Sequence, residues 1–205
     1  MPSSIKKIVD GFPFPTIDPI IGTLDYESIA DIHLKLNSNA ASVQSNLGCG
    51  KLGLLFLTVS PAVYATLSTT TFVPPVNPGP EPIIPTGLTS AVIAELQYHH
   101  TEATKIFTKY ENTDKALHRL LLASTDKLDV RSIRHKYICY GKTTTRALLD
   151  HLYSTYANIS ASALQDNDKR LRAPYDRNQP FETLINQVEN AVDYASAGDT
   201  PYTPA

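Results

Sequence analysis

Residues 179–198 read QPFETLINQVENAVDYASAG, and this stretch decides the fold class of the chain. Pro180 stands at the first helical position, where proline is favoured, and Gly198 stands where a helix is expected to end. The apolar residues between them recur at helical spacing; they are Phe181, Leu184, Ile185, Val188, Val192 and Ala195. The pattern predicts an amphipathic helix, and its polar residues are not arranged like a catalytic set.

Similar helical patterns, each with a suitable capping residue, precede this stretch. Asp25 to about Gln44 predicts a helix with Asp25 as its N-cap and Gly48 as a C-cap glycine. Ser60-Pro61 predicts a short helix. Further helices are predicted to begin at Thr89 or Ser90, at Thr113-Asp114, at Asp126 (reaching Tyr140), at Thr143 or Thr144, and at Ser160. No segment shows the sustained alternation of a strand, so the expected fold class is all-α.

Proline-rich segments divide the chain. Pro13, Pro15 and Pro19 predict an extended N-terminal arm over residues 1–24, and residues 25–72 are predicted to form an N-terminal helical segment. Residues 73–85 contain six prolines and predict a stiff, polyproline-like linker; the alternative is a docking motif for a proline-reading domain. Residues 86–205 form the second helical region.

The composition restricts the classes of function and the compartment. A formal charge of −2 argues against a whole-chain nucleic-acid binder. Cys49 and Cys139 are ninety residues apart and no signal peptide is recognisable, which predicts reduced thiols in a cytoplasmic protein. The longest apolar run, Leu52 to Val59, is too short for a bilayer, which needs about 20 residues. We therefore expect no membrane association.

No catalytic, cofactor or metal site is predicted. Residues 48–53 match G-x-G-x-x-G, but a predicted helix rather than a strand precedes them. Residues 139–143 resemble the end of a phosphate-binding loop, yet Lys136 stands where that loop needs a glycine. His99-His100 lacks the i, i+4 spacing of a helical zinc pair. We therefore predict that the protein is not an enzyme.

One stretch of the sequence is strongly basic. Residues 127–146 carry six cations against a single acid, Asp129. The six are Lys127, Arg131, Arg134, Lys136, Lys142 and Arg146. If the stretch is helical, Arg131, Arg134 and His135 share a face that can meet phosphate. The interpretations left open are a solvated basic helix face and a nucleic-acid contact.

Several motifs in residues 86–205 resemble the Gag polypeptides of copia-type LTR retrotransposons, of the kind found in algal and protist genomes. The resemblance depends on the order of the motifs: a Thr-rich helix start, a Leu-x-x-x-Tyr, a Leu-containing helix, a Gln-Pro-apolar-Glu start and a closing Ala-Gly. The matching residues are Thr144, Leu149, Leu152, Tyr156, Leu164, Leu171, Gln179, Pro180, Phe181, Glu182, Leu184, Val188, Ala197 and Gly198, with Thr113–Leu117 upstream. The chain ends at Ala205 and contains no zinc knuckle, so we expect a C-terminally truncated form.

This resemblance implies a retroviral-capsid-like helical fold and a function. The chain would self-associate into a capsid or virus-like particle and package element RNA. The alternative is a nucleic-acid-binding helical module that uses residues 127–146. The resemblance assigns to Gln179 and Glu182 a hydrogen bond across the turn before the last helix. The expected self-association contacts are Phe12 and Phe14 in the arm, Tyr153, Tyr156 and the outward side of the last helix.

Overall fold

The computed structural model describes residues 4–202, which form seven α-helices and two short 3₁₀ helices, with no β-strand among them. The α-helices are α1 (Ser4–Asp10), α2 (Tyr26–Ser42), α3 (Pro61–Leu67), α4 (Ser90–Ser124), α5 (Thr145–Tyr156), α6 (Ala161–Leu171) and α7 (Phe181–Ala197). The 3₁₀ helices cover Leu55–Leu57 and Arg131–Ile133. The all-α prediction is confirmed. Within residues 4–202, none of the helices combines the length and the apolar character that a membrane crossing requires.

Four of the predicted helix starts are set by side-chain caps. The Asp25 carboxylate accepts from the Ser28 backbone N–H at 2.9 Å, while the Asp25 N–H donates to the Ser28 hydroxyl, which makes a reciprocal capping box. Ser60, Thr144 and Ser160 each accept a backbone N–H three residues on, at 3.1–3.2 Å. These bonds satisfy amide groups that a helix start otherwise leaves without partners.

The main core lies where α2, the C-terminal half of α4 and α5 pack against one another. Its fully buried side chains include Ile29 and Leu36 of α2, Leu117 and Leu121 of α4, and Leu148 of α5. Residues before and after the proline-rich segment 73–85 thus contribute to the same core. The segment contains no helix or strand, as its prolines predict, and it connects two parts of one core.

A buried amide fixes the N-terminal region to this core. The Asn39 side chain, fully buried on α2, accepts the Phe14 backbone N–H and donates to the Phe14 carbonyl, both at 2.8 Å. The Ile20 N–H donates to the Ser124 carbonyl at the end of α4. These bonds place Phe12 and Ile17 inside the core. From Pro13 to Leu24 the segment contains no helix or strand, but Ser4–Asp10 forms a helix that packs on α4, whereas the sequence predicted an extended arm throughout.

Helix α4 is one helix of 35 residues, and the prediction of a new helix at Thr113-Asp114 is wrong. The Thr113 hydroxyl does not cap anything; it donates to the Lys109 carbonyl one turn earlier. The Asp114 carboxylate accepts the Thr145 backbone N–H, and the Thr145 hydroxyl donates to the Asp114 carbonyl oxygen. The two residues that resemble a helix start therefore continue α4 and connect it to α5.

Two other local predictions are wrong. Residues 126–140 are not an α-helix but a sequence of turns around the 3₁₀ helix. Gly48 does not end α2, which stops at Ser42. Instead, the chain returns to the end of α2, where the Leu54 N–H donates to the Ala40 carbonyl at 2.9 Å. The Ala40 carbonyl, which also accepts the Val43 N–H at 3.4 Å, therefore joins the end of α2 to the returning segment.

Helices α6 and α7 form a hairpin beside the main core. The buried Asn167 amide donates to the Ala191 carbonyl at 2.8 Å, and the Gln187 amide donates to the Arg170 carbonyl at 2.7 Å. Ala191 and Ala195 supply the buried face of α7. A salt bridge of 2.7 Å between Arg170 and Glu27, together with an edge-to-face pair of Tyr26 and Tyr194, connects the hairpin to α2.

Two glycines in the turns after α2 allow a matched test of this arrangement. Gly50 and Gly53 both have positive φ (71° and 53°). A Cβ on Gly50 meets nothing closer than 3.8 Å, whereas a Cβ on Gly53 would overlap the Ala41 carbonyl oxygen and lie 2.7 Å from that of Val43. We expect Gly50→Ala to lower the free energy of unfolding by about 1 kcal/mol, and Gly53→Ala to lower it by about 3 kcal/mol. Urea denaturation of both variants measures the difference, and equal losses would contradict the close approach.

Candidate interaction surfaces

Helix α7 carries an apolar stripe that the hairpin does not cover. The exposed fractions are 61% for Phe181, 43% for Ile185, 40% for Val188 and 36% for Val192. Their spacing of four, three and four residues is typical of the seam of a coiled coil. Ala191 and Ala195, with the half-buried Leu184, face α6, and the other large apolar side chains of α7 point outward. We call Phe181, Ile185, Val188 and Val192 the α7 stripe.

An acidic edge runs beside the α7 stripe. At about 100° per residue, Glu182, Glu189 and Asp193 lie next to the stripe on the side away from α6, and all three are exposed. Helix α7 contains no Lys or Arg. Within residues 4–202, none of these three carboxylates forms a salt bridge. The α7 surface therefore combines exposed apolar side chains with uncompensated negative charge.

The predicted basic stretch forms a turn-rich loop, residues 126–144, which we call the basic loop. Backbone bonds between His135 and Cys139, at 2.9 and 3.0 Å, close its central turn. Cys139 has a φ of 51°, and the Arg134 guanidinium lies 3.7 Å from its sulfur. Because no α-helix forms here, Arg131, Arg134 and His135 do not share a helix face as the sequence predicted.

Helix α5 holds the first half of the basic loop in place. The Tyr156 hydroxyl donates to the Asp129 carbonyl at 3.1 Å, and His151 Nε2 lies 3.3 Å from the same oxygen. His151 Nε2 also lies 3.0 Å from the Ser132 hydroxyl. Between these contacts Val130 is almost completely buried in the main core. The loop thus has a defined shape although it contains little regular structure.

The structure brings three of the six predicted cations together. Lys127, Arg131 and Arg134 line one cavity of about 530 Å³. Its apolar walls are Leu122, Leu128, Val130 and Tyr140.

Lys142 lines a separate cavity with residues of α4. The Lys136 ammonium lies 5.4 Å from the centre of the Tyr137 ring. Arg146 points elsewhere, donating to the Val59 carbonyl and lying 3.8 Å from the Asp150 carboxylate.

The turn before α7 does not contain the side-chain bond that the resemblance assigned. Within residues 4–202, the Gln179 and Glu182 side chains make no hydrogen bond with each other. The Gln179 backbone N–H donates to the Asp176 carbonyl at 3.0 Å, and the Tyr175 hydroxyl donates to the Gln179 carbonyl. Backbone groups and Tyr175 close this turn, and Glu182 contributes a carboxylate to the first turn of α7.

Among the aromatic residues expected at an interface, most pack within the chain. Phe12 is only 6% exposed, and Tyr153 and Tyr156 are half-buried. Phe14 is partly exposed. Of the self-association contacts expected from the sequence, the outward side of α7 therefore exposes the most apolar surface. The sequence missed the cavity next to the basic loop, because its walls come from α4 and from a loop that was predicted to be helical.

The buried titratable groups serve packing between helices. His33 of α2 lies 3.0 Å from the Tyr153 hydroxyl and 3.2 Å from the Thr58 carbonyl oxygen. Burial lowers the pKa of His33, and burial raises the pKa of Tyr153 to about 12. His33 is therefore neutral at pH 7 and connects α2 to α5.

In the described part of the chain, no group of three His, Cys, Asp or Glu side chains is placed to hold a metal ion, and both cysteines are free thiols.

Comparison with protein-family models, with curated protein sequences and with solved structures finds no match to this chain. The resemblance to Gag polypeptides therefore rests on the sequence motifs alone.

The contact between Tyr156 and the basic loop gives a prediction that separates folding from association. Tyr156→Phe removes the hydrogen bond to Asp129 and should cost about 1 kcal/mol of folding stability. Tyr156→Ala also removes the ring and should cost about 3 kcal/mol. Tyr98→Ala, which truncates a ring of α4 that is 63% exposed, serves as the control and should leave stability within about 0.5 kcal/mol. Thermal unfolding and sedimentation are measured together. Loss of association by Tyr156→Ala at unchanged melting temperature would contradict the inward role.

Proposed function

We propose that this chain is a retrotransposon Gag-like structural protein of the cytoplasm that self-associates into a capsid-like shell. The order of the sequence motifs supports the family, and the all-α fold is compatible with it. In this proposal the main core corresponds to one lobe of a capsid protein, and the α6–α7 hairpin corresponds to the beginning of the second lobe. The proposal gives the chain no catalytic role.

The observation that carries self-association is the exposed α7 stripe. A soluble monomer rarely leaves large apolar residues in a continuous row on one helix. Full burial of such a side chain contributes about 1.5–3 kcal/mol, and the four residues are each between a third and two thirds exposed. Covering the stripe is therefore worth on the order of 3–5 kcal/mol before the cost of association. Since association itself costs about 4 kcal/mol or more, a single such contact holds two isolated copies together more weakly than a dissociation constant of about 1 mM.

Such a weak contact suits a shell. In a lattice each subunit is held by several contacts at once, so small patches produce a stable assembly without tight pairs. The same patch would be ineffective as a single interface between two isolated molecules. The expected behaviour is therefore a cooperative appearance of large particles above a threshold concentration, with few dimers below it.

The experiment replaces the most exposed end of the stripe. Phe181→Gln with Ile185→Gln keeps side chains of similar length and good helix propensity but removes apolar surface. We expect the threshold concentration for assembly to rise at least tenfold, measured by sedimentation velocity and by electron microscopy. Val76→Gln with Ile83→Gln is the matched control, because these residues are 83% and 95% exposed in the proline-rich segment. The proposal is contradicted if the stripe variant assembles at the same threshold concentration as the wild type, or if the wild type itself forms no particles.

A second candidate function is nucleic-acid binding by the basic loop. The observation that favours it is the convergence of Lys127, Arg131 and Arg134 at one cavity with apolar walls. Cations placed in this way can bind phosphates while a base covers the apolar surface. Association with element RNA would also agree with the proposed shell.

Filter binding of single-stranded RNA at several salt concentrations tests this candidate. Each phosphate contact contributes about 0.7 to the slope of log affinity against log salt. We therefore expect Arg131→Gln with Arg134→Gln to reduce the slope by about 1.4. Lys51→Gln with Arg177→Gln removes two exposed cations outside the loop and should leave the slope unchanged. Equal effects of the two double variants would indicate non-specific charge attraction.

A further inference from the structure

The α7 surface and the basic loop carry opposite charges that the fold does not neutralise. Outside the loop, seven cations form salt bridges: Lys35 with Asp31, Lys105 with Glu102, Lys115 with Glu111, Arg146 with Asp150, Lys169 with Asp166, Arg170 with Glu27 and Arg172 with Asp168. What sets the loop apart is its density of unpaired charge, because five cations within sixteen residues, Lys127, Arg131, Arg134, Lys136 and Lys142, form no salt bridge within residues 4–202. The acidic edge of α7 is likewise unpaired.

Both surfaces also expose apolar side chains next to their charges. On the basic loop, Leu128 is 70% exposed, Tyr137 80% and Ile138 41%. Leu128 also forms a wall of the cavity that Lys127, Arg131 and Arg134 line. On α7, Phe181 is the most exposed member of the stripe, and it stands next to Glu182. An exposed aromatic side chain beside an acid complements an apolar cavity beside three cations.

The charge distribution opposes a symmetric pair of α7 helices. Because α7 carries acids and no Lys or Arg, two copies packed stripe to stripe would bring Glu182, Glu189 and Asp193 of both helices to one interface. Like charges at an interface weaken the contact and suppress such pairing. A surface with apolar side chains and unpaired cations is the complementary partner, and the chain provides one.

We propose that α7 of one copy docks on the basic loop of a second copy, with Phe181 entering the cavity between Leu128, Val130 and Tyr140. This inference rests on the proposed self-association and specifies its interface. The contact is head-to-tail, since the two copies use different surfaces. After one contact, the first copy still has a free basic loop and the second still has a free α7, so association continues until a ring closes or a larger assembly forms.

Charge reversal of either surface tests this pairing. The first variant carries Arg131→Glu and Arg134→Glu, and the second carries Glu189→Arg and Asp193→Arg. Glu182 is left in place because an acid in the first turn stabilises the helix. Each variant alone brings like charges together at every contact, so we expect at least tenfold weaker association than in the wild type. Circular dichroism and melting temperature establish that both variants are folded.

Mixing the two variants provides the decisive measurement. In the mixture, the acidic loop of the first variant meets the basic α7 of the second, and the unaltered α7 of the first meets the unaltered loop of the second. Both contacts are complementary, so assembly should return only in the mixture, at close to a 1:1 ratio, as measured by sedimentation velocity. Lys7→Glu with Lys51→Glu, which reverses two exposed cations outside the loop, is the control and should leave association unchanged.

The outcomes distinguish this interface from the proposed function. If the wild type assembles and neither reversal weakens it, the pairing is wrong while self-association stands. If only the α7 variant loses assembly and mixing does not restore it, the stripe has a different partner and the pairing is again wrong. If the loop variant loses RNA retention on filters but sediments like the wild type, the loop is a nucleic-acid surface. A wild type that is monomeric at every concentration overturns both proposals.

Discussion

Helix α4 runs without interruption through Thr113, and the rest of the fold depends on that continuity. The half of α4 that follows Thr113 provides Leu117 and Leu121 at the centre of the main core, where neither has solvent exposure. The half that precedes it extends beyond the core and carries α1. Because the Thr113 hydroxyl binds a carbonyl of its own helix, it is not available as a cap. Its neighbour Asp114 binds Thr145 in the first turn of α5. Two adjacent residues within α4 thus continue that helix and hold the next one against it.

The two interaction surfaces follow from how the remaining elements are packed. Helix α7 uses Ala191 and Ala195 against α6, and small side chains let two helices approach closely. Apart from the half-buried Leu184, the larger apolar residues of α7 are then left outside the hairpin. The basic loop has a similar origin, because Val130 and the bonds of Asp129 hold its backbone against α5 while its long cationic side chains extend into solvent. In both places the backbone is fixed and the side chains are exposed, which is a suitable condition for binding a partner.

The sequence identified the charge of the basic loop but not its shape. A count of cations needs no structure, and all six residues were found in this way. Their arrangement depends on residues far along the chain: Leu122 of α4 lines the cavity, and Tyr156 and His151 of α5 fix the backbone. The helical spacing of apolar residues in 126–140 predicted a helix. In the structure, His151 and Tyr156 of α5 contact Asp129 and Ser132, and these contacts favour turns instead. The sequence alone did not show which apolar face of α7 is exposed. Both the stripe and the alanines that face α6 are apolar, so either face could have been the buried one.

What the sequence determined by itself is the all-α class and the starts of four helices. A cap at Asp25, Ser60, Thr144 or Ser160 is a bond between residues three apart, so neighbouring residues contain all the information it needs. The tertiary structure alone decided that α4 continues through Thr113, that residues 126–140 form a loop and that residues 4–10 form a helix on α4. In each of these cases the local pattern permits more than one conformation, and contacts between segments distant in the sequence select one. Such contacts are worth more free energy than the small differences in helix propensity that distinguish the alternatives.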